Sequence, residues 1–499
     1  MSLKKQLAHN TAAQLVGKIV STILGLLAIG MMTRYLGVEQ FGWYATTLAF
    51  LQFIAIMIDF GLIPVTAQMM SEVPSDIKDE DAKGIAAYRS KLMKNLLGFR
   101  FTTAVLGLGF APLIALFFPY PHEVKIAITF TTISMLGVAM NQIFIGFYQS
   151  KLSTYLQAIG EVVGRIALVV GLFLCVYLDF GFLPVMWAIV LSSVVYTAVM
   201  WLYAKRSISV SFAFDFEMWK KIATRMWPIA ISIMFNVIYL RGDTIILSIF
   251  REQAEVGFYR VAYSVIDIVA QTAMMVMGLM LPLLAYTWSK GDGTKFKEHF
   301  QLAFNVMMMF AIPMAVGLVV LSENIVILVA GEEYSSAALP LSLLSIAVFG
   351  IFVGAVFGHV AVAVNRQKQT LPVYIATALI ALVLYFIFIP RFGMNGAAIV
   401  SIFSELFAGT LLYIIVKKYS KISLSWVTLG KALCAGGLMA GVLFFMRPVL
   451  ETFGSGAMYA FVLFLVILSS GAMYAFVLFA TKAVSLETLK EVTSLKKTT

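Results

Sequence analysis

The chain has 499 residues, of which 61% are apolar and only 12% are charged, and its mean hydropathy is +0.94. These values exclude a soluble globular protein, whose core could not bury so much apolar surface. The net charge of +11 does not require nucleic acid as a partner, because the basic residues separate hydrophobic runs and form no basic domain.

Residues 1–10 form a short polar start that contains Lys4 and Lys5. The apolar run that follows has no small-residue cleavage pattern, so the sequence predicts a retained membrane anchor and a cytoplasmic N-terminus. The two cysteines, Cys175 and Cys434, fall in separate predicted membrane helices without metal-ligating neighbours. We therefore predict neither a disulfide framework nor a metal site.

Fourteen apolar runs follow along the chain. A bilayer core requires ~20 apolar residues per helix, because lipid offers no partner for an unpaired backbone amide. The sequence thus predicts an all-α, polytopic membrane protein with transmembrane helices at roughly 11–33, 42–65, 97–118, 126–148, 155–178, 184–203, 226–250, 258–287, 300–321, 338–363, 370–390, 395–416, 427–447 and 456–480.

The basic residues are distributed unequally between the two sides of these spans. The side opposite the N-terminus, with the span ends beside it, has only Arg34, Lys125, Arg251, Arg260, Arg391 and Arg447. Four more lie inside spans, namely Lys18, Arg165, Arg241 and Lys431, and the rest of the 36 Lys and Arg residues fall on the N-terminal side. Cytoplasmic loops carry such an excess. We therefore place both termini in the cytoplasm and the protein in the inner (plasma) membrane.

The loops between the spans are too short to form a catalytic domain. Membrane enzymes that join sugars gather acid, base or metal groups above the membrane, whereas the four histidines here are scattered. The chain also has no Walker loop, and no GxGxxG sequence opens a helix after a strand. The sequence predicts a transporter without a cofactor, which draws on an ion gradient, the membrane potential or the gradient of its substrate.

Two short sequence echoes indicate an internal repeat. Gly42 and Gly257 begin similar segments at the second and eighth spans, 215 residues apart, and Phe180-Gly181 resembles Phe392-Gly393 between later pairs of spans. A copy with an even number of spans returns to its starting side, so the copies would be parallel. We predict two parallel six-helix lobes around a central cavity, at residues 1–206 and 207–421, with two appended helices and a cytoplasmic tail at 422–499.

The last span contains a further repeat. Ser455 to Phe464 recurs identically as Ser470 to Phe479, at a period of 15 residues. The sequence alone gives this duplication no function.

Charged residues inside the first spans are candidates for a site, because an unpaired charge at bilayer depth is costly. Asn10, Gln14, Lys18 and Ser21 share one helical face, which predicts a polar stripe toward an interior. A lysine that reaches the cytoplasmic headgroups is the alternative for Lys18. Arg165 lies four residues after Glu161, so an ion pair within one helix is its alternative.

Three further charged residues lie in the seventh and eighth spans. Arg241 and Asp243 point to different sides of one helix, so they cannot simply neutralise each other. Asp267 shares a face with Tyr263 and Gln271 and would need a cation or a proton at this depth. We predict Lys18, Arg165 and Arg241 as a cationic substrate-binding cavity, and Asp267 and Asp243 as ion-coupling candidates.

Short motifs recur in both halves of the chain. The first half has Leu15 to Lys18, Thr33 to Gly37, Gln40 to Gly42 and Asp59 to Leu62, and the second half has Asp243, Glu255 to Tyr259 and Gly331 to Tyr334. These motifs resemble the start and the second half of the polysaccharide-biosynthesis (Wzx-type) lipid-linked oligosaccharide flippases of the multidrug/oligosaccharidyl-lipid/polysaccharide (MOP) superfamily.

This resemblance implies that the chain moves polyprenyl-pyrophosphate-linked oligosaccharides across the membrane by alternating access of two six-helix lobes. It also implies the lipid bilayer and the polysaccharide polymerase machinery as partners, and a cationic cavity for the pyrophosphate. Two alternatives stay open. A lipid II flippase is less favoured because the first lobe lacks a dense arginine cluster, and a cation-coupled MATE-like drug exporter would favour carboxylates over Lys18, Arg165 and Arg241 in its cavity.

Overall fold

The computed structural model describes residues 3–59, 61–72, 81–452, 456–481 and 483, and within these ranges it contains helices and no strand. This confirms the predicted all-α class. The helices of the first half are α1 (Leu3–Asp59), α2 (Leu62–Ser71), α3 (Ala82–Gly109), α4 (Ala111–Ala115), α5 (His122–Ser150), α6 (Tyr155–Tyr177), α7 (Phe182–Lys205) and α8 (Phe216–Phe250).

The second half continues with α9 (Gln253–Ser289), α10 (Gly293–Val320), α11 (Ser322–Ala330), α12 (Ala338–Ala363), α13 (Gln367–Ser420), α14 (Val427–Glu451) and α15 (Ala457–Ala480), with a 3-10 turn at Glu332–Ala337 between α11 and α12. Eleven helices in the described part of the chain are long and apolar enough to cross a membrane.

Two of these helices are too long for a single crossing. The 57 residues of α1 and the 54 residues of α13 contain non-helical glycines, Gly37 and Gly393, at their bends. Each glycine separates two segments that exceed the ~20 residues of a membrane helix. α8 also has the length of a crossing helix, but its side chains at 228–241 lie outside the described part. The count of fourteen crossings therefore stays a prediction.

Small residues allow neighbouring helices to approach closely. A Cβ atom on Gly164 of α6 would lie 2.9 Å from Cβ of Tyr196 on α7, and one on Gly350 of α12 would lie 2.8 Å from the backbone carbon of Glu405 on α13. Membrane helices pack in this manner because lipid provides no hydrophobic driving force between them and close van der Waals contact must replace it.

The chain forms two compact units, Met1–Ile249 and Phe250–Thr499. The division differs from the predicted boundary at residues 206/207 by one helix, α8, which falls in the first unit. The assignment of α8 to the second six-helix lobe therefore stays a prediction.

The duplicated segment of α15 provides two equivalent contacts inside the second unit. Tyr459 and Tyr474, which occupy the same position of the two copies, are both buried. The Tyr459 hydroxyl exchanges hydrogen bonds with Asn324 of α11, and Tyr474 donates to the carbonyl of Met309 in α10 at 3.1 Å. The repeat thus places the same aromatic side chain against its own unit twice, which explains a feature that the sequence left without an account.

Candidate functional site

A polar seam runs between the first part of α1 and α6 in the first unit. Asn10 donates to the carbonyl of Leu152 at the start of this seam. Farther along, Ser21 donates to Oε1 of Glu161 at 2.8 Å, and Lys18 Nζ lies 3.4 Å from the same oxygen. Three of the four residues on the predicted polar face of α1 therefore point at protein, and Lys18 forms its ion pair with α6.

Arg165 lies one turn beyond Glu161 on α6. Its guanidinium covers Gly25 of α1, since a Cβ at that glycine would lie 3.8 Å from the guanidinium carbon. The predicted alternative of an ion pair between Glu161 and Arg165 is absent from the described residues, where Glu161 pairs with Lys18 and Arg165 makes no ion pair. The structure thus brings Lys18 and Arg165 to one seam, although through different neighbours.

This α1–α6 seam carries excess positive charge. Two cations, Lys18 and Arg165, lie at this seam with one carboxylate, Glu161, which pairs with Lys18, and the Arg165 side chain is exposed on the protein surface. Arginine can donate two parallel hydrogen bonds to a phosphate, and lysine acts as a compact point charge. The arrangement therefore fits an anionic group of the phosphate class.

The seventh predicted span is only partly described. The side chain of Arg241 lies outside the described residues, so its place in a cavity is untested. Asp243 is 1% exposed. One of its carboxylate oxygens accepts hydrogen bonds from the backbone amide and the hydroxyl of Thr244, at 2.6 and 3.1 Å.

Asp267 has a cationic partner that the sequence interpretation missed. Arg260, two turns earlier on α9, places its guanidinium 3.4 Å from Oδ2 of Asp267. The distribution of basic residues placed Arg260 on the side opposite the N-terminus, so it was not predicted as the cation that Asp267 needs. The spacing of seven residues on one helix was the available signal, because it places both side chains on one face.

Arg100 is a second cation that sequence reasoning missed. It is 1% exposed on α3, where it donates to the carbonyl of Ala139 and, at 2.8 Å, to Oε1 of Gln142. The prediction began this span at residue 97 and counted Arg100 with the loop. Because α3 begins at Ala82, Arg100 lies well inside the helix and binds neutral groups of α5.

The sequence echo at Phe180-Gly181 corresponds to a defined local structure. Gly181 has a φ of 81° and precedes the first residue of α7. Its backbone amide donates to the hydroxyl of Tyr35 at 2.7 Å, and that hydroxyl donates to Asp179 at 3.0 Å. We call these three residues the first clip, which joins the bend of α1 to the start of α7.

The matching echo at Phe392-Gly393 also lies at the start of a helical segment, but a carboxylate accepts the backbone amide there. Gly393 has a φ of 57°, and the next residue, Met394, donates its amide to Oε2 of Glu255 at 3.1 Å. Arg251 holds the other oxygen of Glu255 at 2.9 Å. These four residues form the second clip, which joins the start of α9 to the second part of α13.

The linkers that follow α7 and α13 also bind within their own units. In the first strap, 206–215, Ala213 donates to the carbonyl of Lys94 on α3 at 3.0 Å. In the second strap, 421–426, Ser425 exchanges hydrogen bonds with the side chain of Gln301 on α10, at 2.7 and 2.9 Å. Each strap thus contacts a long helix of its own unit, α3 in the first and α10 in the second.

Residues 7–288, more than half of the chain, match the family described as "Polysaccharide biosynthesis protein". The chain belongs to this family. It is 23% identical over 441 residues to the probable low-salt glycan biosynthesis flippase Agl15 of Haloferax volcanii, covering 88% of this chain and 89% of Agl15.

Solved structures show the same fold. The lipid II flippase MurJ in an inward closed conformation has a TM-score of 0.75 at 14% identity, covering 94% of this chain and 99% of MurJ. An inward-facing multidrug resistance MATE transporter of the MOP superfamily has a TM-score of 0.64 at 14% identity, covering 82% and 98%. The predicted polysaccharide biosynthesis family is confirmed, and the multi-pass helical architecture of this family member is the fold of these solved transporters.

Proposed function

We propose that this polysaccharide biosynthesis family member is a flippase that moves a polyprenyl-pyrophosphate-linked oligosaccharide from the cytoplasmic to the outer leaflet of the inner membrane. The family match and the likeness to a glycan biosynthesis flippase support a role in glycan export. Both termini would be cytoplasmic, and the polysaccharide polymerase machinery would receive the product.

The observation that carries the proposal is the charge of the α1–α6 seam. Lys18 and Arg165 lie on facing helices with one carboxylate between them. A diphosphate carries the complementary charge, and the fork of Arg165 can bind two of its oxygens. Arg241 is the proposed third cation of the cavity. In the alternating-access cycle, two six-helix lobes would expose this cavity to each side in turn.

Energy for the cycle would come from an ion gradient through Asp267, with Asp243 as the second candidate. Because Arg260 already neutralises Asp267, uptake of a proton or Na⁺ at Asp267 would release that guanidinium. The expected result of Asp267→Asn is loss of ion-dependent transport in a protein that still inserts normally. Transport with unchanged ion dependence in the Asn variant would remove Asp267 from the coupling step.

The direct test is deletion of the gene followed by mass spectrometry of the lipid-linked sugars in the membrane. We expect one lipid-linked oligosaccharide to accumulate in the inner leaflet, and wild-type protein, but not Arg165→Ala, to restore its export. Accumulation of lipid II would instead support the lipid II flippase alternative. Unchanged lipid-linked sugars with new sensitivity to cationic dyes would support the MATE-like exporter.

A further inference from the structure

Glu161 lies at the centre of the α1–α6 seam, although a carboxylate repels the diphosphate that the seam is proposed to bind. Its Oε1 atom accepts the hydrogen bond from Ser21 and faces the Lys18 ammonium. A binding site selected only for affinity would omit this negative charge. The position of Glu161 therefore requires a role other than attraction of the substrate.

The ion pair between Lys18 and Glu161 is long, and both of its side chains are partly exposed. Its N–O distance is 3.4 Å, and the side chains are 39% and 26% exposed. An ion pair at this distance contributes little, because the Coulomb attraction falls with separation and both side chains must be ordered. A diphosphate with two or more negative charges can therefore compete with one carboxylate for Lys18.

The Arg251–Glu255 pair of the second clip is almost equally exposed, at 34% and 24%, but it is shorter and has an additional partner. Its N–O distance is 2.9 Å, and the second carboxylate oxygen accepts the amide of Met394. Removing Arg251 from Glu255 would therefore disturb the start of a helix. No backbone amide among the described residues donates to Glu161, so Lys18 can leave it without such a cost.

We propose that Glu161 is a positioning residue that holds Lys18 while the seam is empty and releases it to the phosphate of the substrate. The inference rests on the proposed function, because it assumes an anionic ligand at this seam. With Lys18 bound to Glu161, the seam offers one unpaired guanidinium, Arg165. With Lys18 released, it offers two cations. Glu161 thereby weakens binding at equilibrium and gives Lys18 a partner when the substrate leaves.

The experiment measures binding of farnesyl diphosphate, with uncharged farnesol as its control, to the purified full-length protein in detergent at low salt. Glu161→Gln should tighten farnesyl diphosphate binding roughly fivefold, the size expected for one partly exposed ion pair. Lys18→Gln should weaken binding. In the Lys18→Gln background, Glu161→Gln should change the affinity less than about twofold, because Glu161 acts through Lys18.

Two further variants complete the design. Glu323→Gln is the matched control, since it removes one carboxylate from the exposed ion pair with Arg447 in the second unit and should leave the affinity unchanged. Glu161→Asp keeps the charge but shortens the side chain, and it should tighten binding less than Glu161→Gln does. If Glu161→Gln does not fold in a thermal unfolding control, the Asp variant carries the test.

Different failures have different meanings. Unchanged affinity in Glu161→Gln, or an equal gain with and without Lys18, overturns the role of Glu161 and leaves the proposed function standing. If wild type and every variant bind farnesyl diphosphate no better than farnesol, the seam does not bind an anionic ligand, and both proposals fall.

Discussion

The two units start corresponding helices with different side chains. In the first clip, a neutral tyrosine hydroxyl accepts the amide of Gly181, and in the second clip a carboxylate held by Arg251 accepts the amide of Met394. Both arrangements follow a Phe-Gly pair with positive φ at the glycine. The two sequence echoes therefore share a backbone geometry, in which a helix is capped after a glycine with positive φ. The side chain that accepts the amide differs between them.

The two helices that the straps contact, α3 and α10, are also capped by side chains at corresponding positions. Asp81, the N-cap of α3, accepts the amide of Gly84 at 2.9 Å, and Asp292, the N-cap of α10, accepts the amide of Lys295 at 3.0 Å. The two aspartates have almost the same separation along the chain as the two Phe-Gly pairs. Here the capping residue itself is shared, because a short acceptor at the N-cap is the usual way to satisfy these amides.

The largest expected effect comes from adding a methyl group at the two clip glycines. An alanine at either position adopts a backbone conformation that costs about 1–3 kcal/mol. At Gly393 the new Cβ would also lie 2.1 Å from Oε2 of Glu255, whereas at Gly181 it meets nothing within 4 Å. Thermal unfolding in detergent should show Gly393→Ala well below Gly181→Ala. Equal losses would contradict the tighter packing of the second clip.

A smaller difference should appear when the polar groups of the clips are removed. Tyr35→Phe removes one neutral hydrogen-bonding hydroxyl, worth about 0.5–1.5 kcal/mol. Arg251→Gln removes the cation from Glu255, so its loss of stability should shrink as salt screens the pair. We expect the unfolding temperature of Tyr35→Phe, relative to wild type, to be independent of salt. A salt-independent Arg251→Gln difference would mean that the second clip is held by packing alone.

The straps should respond differently to acid. Lys91 at 2.9 Å, with the backbone amide of Met218, lowers the pKa of Asp215 below its usual 3.8. A carboxylate whose pKa is depressed on folding stabilises the protein above its unfolded pKa, and this contribution disappears as the pH falls through the folded value. The stability difference between wild type and Asp215→Asn should therefore shrink as the pH falls below 3.8 and vanish once the pH is below the lowered pKa of folded Asp215. The difference for Gln301→Ala should stay constant over the same range, since an amide does not titrate there.

The smallest perturbation is a cysteine label on each membrane surface. The basic residues predict that a cysteine at Gly293, at the start of α10, is labelled only from the cytoplasm. Phe117, between α4 and α5, is 91% exposed and should be labelled only from outside when replaced by cysteine. Labelling in intact cells with a membrane-impermeant reagent checks both positions. The reverse pattern would invert the topology of both units.

Hydropathy predicted most helices closely, because a helix that crosses a bilayer must be a long apolar run and such a run is visible in the sequence. The predicted span 338–363 coincides with α12. α3 begins fifteen residues before the predicted span, because residues 82–96 contain several charges but are helical and precede the apolar run. The positive φ of Gly393 was also beyond prediction, because a Phe-Gly pair is compatible with several backbone conformations.

The candidate site was predicted less completely for a different reason. Spacing along one helix shows which side chains can meet on that helix, so Glu161 and Arg165 were natural partners. Spacing does not show which neighbouring helix also contacts the carboxylate of Glu161. In the structure that helix is α1, through Lys18 and Ser21. Sequence reasoning therefore found the charged residues of the seam, but the alternative that it gave for Arg165 paired Glu161 with a cation other than Lys18.

The duplicated segment of α15 also determines the length of this helix. The helix has 24 residues, and removal of one 15-residue copy would leave about nine, roughly 14 Å at 1.5 Å per residue. That length falls far short of a hydrocarbon core of ~30 Å. A chain with one copy would lack its final crossing, and the segment after residue 480 would remain on the side where α14 ends. We therefore predict that the duplication decides the side of the membrane on which the C-terminal residues emerge during insertion.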